Sequence, residues 1–87
     1  NKPNPFNPTT EISFALREAA VGELVVYNMK GRKTKTIFAN TQLNGNQVYT
    51  YVWNGDDDSG RQVGSGTYFY TLKAGDYLST KRMIILK

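Results

Sequence analysis

Apolar and polar side chains alternate with a period of two along much of this chain, a period typical of β-strands with one buried face. The first clear stretch runs from Thr9 to Leu16. Leu24–Asn28 is more apolar than alternating, which favours an interior strand. The same pattern predicts the remaining strands: around Lys35–Ala39, Val48–Trp53, Thr67–Leu72 and Tyr77–Leu86.

Turns are predicted where small and polar residues interrupt this alternation. Asn44-Gly45 is a strong hairpin signal between the strands on either side of it. All eight glycines fall in predicted turns and connections, including Gly22 at the end of the connection Arg17–Gly22. No segment has sustained helical periodicity. We therefore predict an all-β, immunoglobulin-like antiparallel β-sandwich of about six to seven strands.

Aromatic residues supply the largest apolar surface in the chain. The single tryptophan, Trp53, shares a parity with Tyr49 and Tyr51. In the next predicted strand Tyr68 and Tyr70 also share one face. Because aromatic side chains bury more area than aliphatic ones, we expect these two strands to form the centre of the core.

Residues 1–8 differ from the rest because they hold all three prolines, which lack the N–H that a sheet ladder needs. We interpret 1–8 as a proline-rich lead or linker anchored by Phe6, and 9–87 as the immunoglobulin-like domain. No apolar run approaches the length of a membrane span, so membrane insertion is not expected. The first residue is not Met, and we expect the chain to be a piece of a larger polypeptide.

The composition argues against catalysis. Without histidine or cysteine the chain cannot form the usual nucleophilic triads, thiol nucleophiles or ordinary zinc sites. Its seven carboxylates are scattered except for three consecutive aspartates, and carboxylates in a solvated turn stay ionised. We therefore expect neither an enzyme nor a cofactor.

The acidic turn allows one metal hypothesis. Asn54, Asp56 and Asp58 alternate as oxygen ligands do in a calcium loop. An EF-hand would need glycine one position before Gly60, and glutamate where this chain has Ser65. A solvated turn is the simpler interpretation, with weak calcium binding as the alternative.

Eleven Lys and Arg side chains against seven acidic ones give a net charge of +4. A basic surface with aromatic side chains can bind single-stranded nucleic acid. Here the aromatic residues follow the parity of the core, and lysines on edges also prevent edge-to-edge aggregation. We therefore expect no nucleic-acid partner. The basic residues cluster at Lys30, Arg32, Lys33 and Lys35, and at Lys81, Arg82 and Lys87.

Several short motifs follow one another over essentially the whole chain. The first is Asn4, Pro5, Phe6, Asn7, Pro8, Thr9 and Thr10. The others are Ile12–Phe14, Val26–Gly31, Trp53–Gly60, Val63–Tyr70 and Thr80–Lys87. In this order they resemble the type A C-terminal sorting domains of the type IX secretion system. The sequence departs from that family's usual pattern at Gly22, Thr34 and Thr67.

This resemblance implies a non-catalytic secretion signal that directs an attached N-terminal cargo protein through the type IX system. Its partners would be the secretion machinery, including the outer-membrane translocon and a sortase-like protease. The domain would cross the periplasm and reach the cell surface or the medium. Carried over by position, translocon recognition falls on Gly66, Tyr68, Tyr70, Lys81, Arg82, Met83, Leu86 and Lys87. The structural positions are Gly31, Trp53, Gly55 and Gly60.

Two alternatives stay open. The same segments are similar, more loosely, to the immunoglobulin-like domain of flagellar hook-capping proteins, which implies a role in assembly. The second alternative is an accessory β-sandwich module of a secreted hydrolase, which would bind glycan or protein.

Overall fold

The computed structural model describes residues 9–87, which form six strands and no helix. β1 pairs with β4 in a two-stranded sheet, and the other strands form a four-stranded sheet in the order β3-β2-β5-β6. Within this part of the chain there is accordingly no helix with the length and apolar character to cross a membrane. The strands are β1 (Thr10–Ala15), β2 (Ala20–Asn28), β3 (Lys33–Leu43), β4 (Val48–Trp53), β5 (Gly66–Ala74) and β6 (Tyr77–Ile85).

All strand pairs are antiparallel, and the alternation of the sequence decides which face of each strand is buried. β4 has the predicted bounds, whereas β2 begins at Ala20, earlier than predicted, and β3 extends to Leu43. β2 lies between β3 and β5, and its residues Leu24–Val26 are all buried. The predicted interior strand and the predicted β-sandwich are both confirmed.

The core lies between the two sheets and is centred on aromatic side chains, as predicted. Trp53 is 1% exposed, and its ring meets the ring of Tyr68 edge-on with the centroids 5.4 Å apart. Phe14 stacks on Tyr49 at 5.5 Å across the β1–β4 pair. Such pairs add roughly 0.5–1.5 kcal/mol each beyond the area they bury. The other members of the buried cluster are Ile12, Leu16, Leu24, Val26, Leu43, Leu72, Ala74, Met83 and Ile85.

The predicted hairpin at Asn44-Gly45 is wrong, because β3 and β4 belong to different sheets. The connection between them packs instead on the β1–β2 connection, where the backbone N–H of Asn46 donates to the Leu16 carbonyl at 2.7 Å. A Cβ at Gly45 would lie 2.7 Å from the carbonyl oxygen of Arg17. Asn-Gly therefore marks a close approach of two backbones and a change of sheet.

The prediction that no glycine lies inside a strand is also wrong. Gly22 is buried within β2, and a Cβ there would lie 2.9 Å from Leu43 Cδ1 and 3.0 Å from the Lys73 carbonyl oxygen. Its partner in β5 is another small residue, Ala74. Because neither residue fills this space, the fully buried side chain of Leu43 occupies it.

Candidate functional site

The outer strand β3 of the four-stranded sheet is covered by residues 54–62, here called the acidic loop. The backbone N–H of Asp58 donates to the Thr34 carbonyl, and the backbone N–H of Thr36 donates to Asp58 Oδ1, both at 3.0 Å. Lys35 Nζ also forms an ion pair of 3.2 Å with Asp56 Oδ2. The loop therefore takes up backbone groups of β3 that a neighbouring strand would otherwise bind.

Hydrogen bonds inside the acidic loop hold it in this shape. Asp57 Oδ1 accepts the backbone N–H groups of Ser59 and Arg61 at 2.9 and 3.0 Å. The ring N–H of Trp53 donates to the Asp56 carbonyl at 2.8 Å. Gly60 has a φ of 86°, in the left-handed region where a side chain is strained. The loop is thus a set of local turns anchored to the core by the tryptophan.

The calcium hypothesis for Asn54, Asp56 and Asp58 finds no ligand cluster in residues 9–87. No group of three or more acidic, histidine or cysteine side chains is placed there to hold a metal ion. The carboxylates of Asp56 and Asp58 already accept internal donors from β3. The arrangement agrees with the simpler interpretation, a turn with local hydrogen bonds.

The opposite outer strand, β6, pairs within the described residues with β5 alone. Its inward residues Met83 and Ile85 are 6% and 1% exposed, whereas the outward residues Leu78 and Ile84 are 65% and 63% exposed. Leu86, just after the strand, is 75% exposed. We call the free side of β6 with these aliphatic side chains the β6 edge.

The β6 edge also carries two cations. Lys81 and Arg82 are both exposed, and the one ion pair in residues 9–87 lies elsewhere, between Lys35 and Asp56. At the end of the strand, the backbone N–H of Lys87 donates to Ser65 Oγ at 2.9 Å. The edge therefore combines open backbone, aliphatic side chains and positive charge.

The residues predicted to be recognised by a translocon fall into a buried group and an exposed group. Tyr68 and Met83 are buried, so neither side chain can be contacted directly while the domain stays folded, whereas Tyr70 is half-buried. Tyr68 also donates its hydroxyl to the Gly64 carbonyl at 2.8 Å. The exposed members are Gly66, Lys81, Arg82, Leu86 and Lys87, and apart from Gly66 they lie on β6 or just after it.

Of the predicted structural positions, Trp53 is in the core, and three glycines have φ in the left-handed region. These values are 78° for Gly31, 71° for Gly55 and 86° for Gly60. Residues 4–8 of the opening motif lie outside the described residues, as does the proposed anchor Phe6. Of this motif only Thr9 and Thr10 are described, and Thr10 lies opposite Trp53.

Leu78 and Ile84 were missed by the sequence analysis. The predicted strand Tyr77–Leu86 carries no assignment of which side chains face the core and which face solvent. With Met83 and Ile85 facing the core, a period of two already places Ile84 and Leu86 in solvent. The signal was therefore present in the parity of β6.

A cleft of about 540 Å³ lies at one end of the sandwich, between the β1–β2 connection and the β5–β6 turn. Its charged residues, Arg17, Glu18 and Asp76, are all exposed. No polar or charged residue in residues 9–87 is buried. The cleft therefore has no enclosed polar group that could be tuned as an acid, base or nucleophile.

Comparison with known proteins gives one positive result. The family model described as FlgD Ig-like domain matches residues 1–77, which end at the first residue of β6. No curated protein and no solved structure matches the chain. The match supports the resemblance to the immunoglobulin-like domain of flagellar hook-capping proteins. Because it covers most of the chain and agrees with the observed sandwich, this protein belongs to the FlgD Ig-like domain family.

Proposed function

We propose that this domain is a non-catalytic module recognised by other proteins, and that it acts as a C-terminal secretion signal for the type IX system. One observation carries the proposal. The β6 edge presents exposed Leu78, Ile84 and Leu86 beside two cations without acidic partners in residues 9–87. Exposed aliphatic side chains on a strand with an open edge are typical of surfaces where another protein binds.

The resemblance in the sequence motifs supplies the finer content of this proposal. An N-terminal cargo protein would be fused to the domain, and the outer-membrane translocon would read the folded signal. A sortase-like protease would then release or attach the cargo. The complex would cross the periplasm, and the cargo would end at the cell surface or in the medium.

The test is export of a reporter. Residues 1–87 are fused behind a signal peptide and a fluorescent reporter, in a bacterium with an active type IX system. We expect most of the reporter at the surface or in the medium, and retention in the periplasm when residues 81–87 are deleted. Because that deletion removes buried Met83 and Ile85, a folded variant is also needed.

The folded variant is Ile84→Lys combined with Leu86→Lys, which changes only exposed side chains. Its matched control is Val48→Lys combined with Val52→Lys on β4, where both valines are also exposed. We expect the β6 variant to lose export and the β4 variant to keep it. Equal export of both variants would contradict recognition at the β6 edge. If the unmodified fusion is not exported either, the secretion signal itself is contradicted.

The family match favours a second candidate, an assembly domain of the hook-capping type. Such a domain would act only inside an oligomer and would be inert as an isolated monomer, so self-association of the purified chain would support this candidate. Sedimentation velocity over a wide range of concentrations distinguishes the two functions. A secretion signal stays monomeric and still exports its reporter, whereas an assembly domain forms oligomers and leaves the reporter in the periplasm.

A further inference from the structure

We propose that β6 binds an extended segment of a partner protein by antiparallel strand addition, and that this segment carries aliphatic and acidic side chains in a fixed order. The inference rests on the proposed function, because it describes how the β6 edge is recognised. It adds the binding mode and the chemistry of the partner.

The backbone of β6 favours strand addition. β6 has nine residues in unbroken register with β5, and its other side has no strand partner within residues 9–87. On that side alternate residues direct N–H and C=O groups outward, over about 30 Å at ~3.3 Å per residue. A peptide that lies alongside can bind these groups as a fifth strand.

The other strand edges in the described residues are less suitable for strand addition. β3 already binds the acidic loop through Thr34 and Thr36, and its register with β2 is interrupted. β1 and β4 have six residues each. β6 is therefore the longest regular strand with an open side in the described part of the chain.

Side chains of β6 specify aliphatic residues at two places of the partner. Residues directly opposite in an antiparallel pair have Cβ atoms ~4.5–5.5 Å apart and share a face. Ile84 and Leu78, both on the outer face, would each gain cover from an aliphatic residue opposite. Near Met83 and Ile85, an apolar residue on the inner face would extend the core of the sandwich.

Lys81 and Arg82 specify acidic residues between these apolar places. The two cations are consecutive, so they lie on opposite faces of β6. Two consecutive acidic residues in the partner would place one carboxylate opposite each cation. The lead of the chain cannot supply them, because residues 1–8 contain no aspartate or glutamate.

Charge also disfavours a second copy of this chain as the occupant. A fully overlapped antiparallel pair of β6 strands, Tyr77 opposite Ile85, places Lys81 of one copy opposite Lys81 of the other. Like charges directly opposite destabilise a strand pair. The surface therefore fits a different protein with negative charge.

The probe is the synthetic peptide Val-Ile-Val-Glu-Glu-Thr-Thr-Leu, acetylated and amidated, written to lie opposite Ile85 through Leu78 in that order. Its matched control replaces both glutamates with lysines. Residues 1–87 are titrated with each peptide, and backbone amide hydrogen exchange is followed by NMR. At a peptide concentration about ten times Kd, the backbone amides of β6 that point away from β5 should exchange about tenfold more slowly. The lysine peptide should bind at least about fivefold more weakly.

Three results would overturn the proposal. They are binding of the acidic peptide without slower exchange in β6, equal binding of both peptides, and absence of binding at concentrations where the peptide stays soluble. Protection of β6 that rises with protein concentration alone would identify a second copy as the occupant. As a further check, Ile84→Lys should weaken binding of the acidic peptide, and Val48→Lys should leave its binding unchanged.

This experiment is independent of export. Peptide binding with β6 protection in a domain that fails to export the reporter would leave the strand-addition inference standing and refute the secretion signal. Export that depends on Ile84 and Leu86, without any protection of β6 amides, would do the reverse.

Discussion

The two outer strands of the four-stranded sheet differ in whether their unpaired edges are covered. β3 is covered along part of its length by the acidic loop, which binds Thr34 and Thr36 by backbone and carboxylate hydrogen bonds. β6 has no strand partner on its other side within the described residues, and Leu78 and Ile84 are exposed on the outer face of the sheet. Edge strands are places where other chains add, so the sheet is protected on one side and available on the other.

Register adds to this contrast. The pairing of β2 with β3 has three irregularities, near Leu24, Val25 and Tyr27, whereas β5 and β6 pair without interruption. Bulges twist a strand and disrupt its ladder, which makes β3 a poor template for addition. The difference teaches that binding competence belongs to a particular edge and cannot be inferred from the sandwich as a whole.

The largest loss of stability is expected at Trp53, which anchors the acidic loop that covers β3. Trp53→Ala removes a fully buried ring that contacts Tyr68 and donates to the Asp56 carbonyl. We expect a loss of about 3–5 kcal/mol in the free energy of unfolding, measured by urea denaturation. In a domain of this size that loss can abolish folding.

The neighbouring exposed residue provides the control for the anchor. Val52→Ala on the outward face of β4 should change the free energy of unfolding by less than about 0.5 kcal/mol. A loss at Trp53 below about 1.5 kcal/mol would mean that the ring is replaceable and that the acidic loop has another anchor.

Adjacent residues of β6 test whether this edge is open. Ile85→Ala should cost about 2–5 kcal/mol, because its side chain is 1% exposed and the space would stay unfilled. Ile84→Ala should cost less than about 0.5 kcal/mol, since that side chain is mostly in solvent. Similar losses at both positions, measured by urea denaturation, would show that something covers Ile84.

Much of the fold is predictable from the sequence because alternation reports the buried face directly. The parity of Trp53 and Tyr68 correctly placed both in the core, and the apolar run Leu24–Val26 correctly indicated an interior strand. These are local signals, and each strand contains enough of them to determine its own orientation.

The errors concern relations between strands. Asn44-Gly45 is a good hairpin signal, but whether β3 pairs with β4 is decided by competing partners outside this turn, the preceding strand β2 for β3 and the distant strand β1 for β4. Gly22 similarly depends on Leu43, a residue of β3, to fill the space beside it. The docking of Asp58 on β3 is also long-range, so spacing alone could not separate it from a calcium loop.

A smaller effect is expected from the turn that shapes the acidic loop. Asp57→Ala removes the acceptor of two backbone N–H groups, those of Ser59 and Arg61. We expect a loss of about 1–2 kcal/mol in the free energy of unfolding. Asp57→Asn keeps one acceptor oxygen and should recover most of that loss. Equal losses for both variants would indicate that the negative charge, and not the acceptor, stabilises the loop.

The smallest effect tests the cover of β3 most directly. Asp58→Ala removes the carboxylate that accepts the Thr36 N–H, while the backbone N–H at position 58 can still donate to Thr34. We expect the Thr36 amide to exchange hydrogen roughly fivefold faster, the equivalent of about 1 kcal/mol, and the amide of Leu72 in the interior strand β5 to stay unchanged. If Thr36 exchange is unaffected, the carboxylate does not protect this edge. If the outward amides of β6 in the wild-type domain exchange as slowly as Thr36, the two edges are equally covered, and the contrast on which strand addition depends is lost.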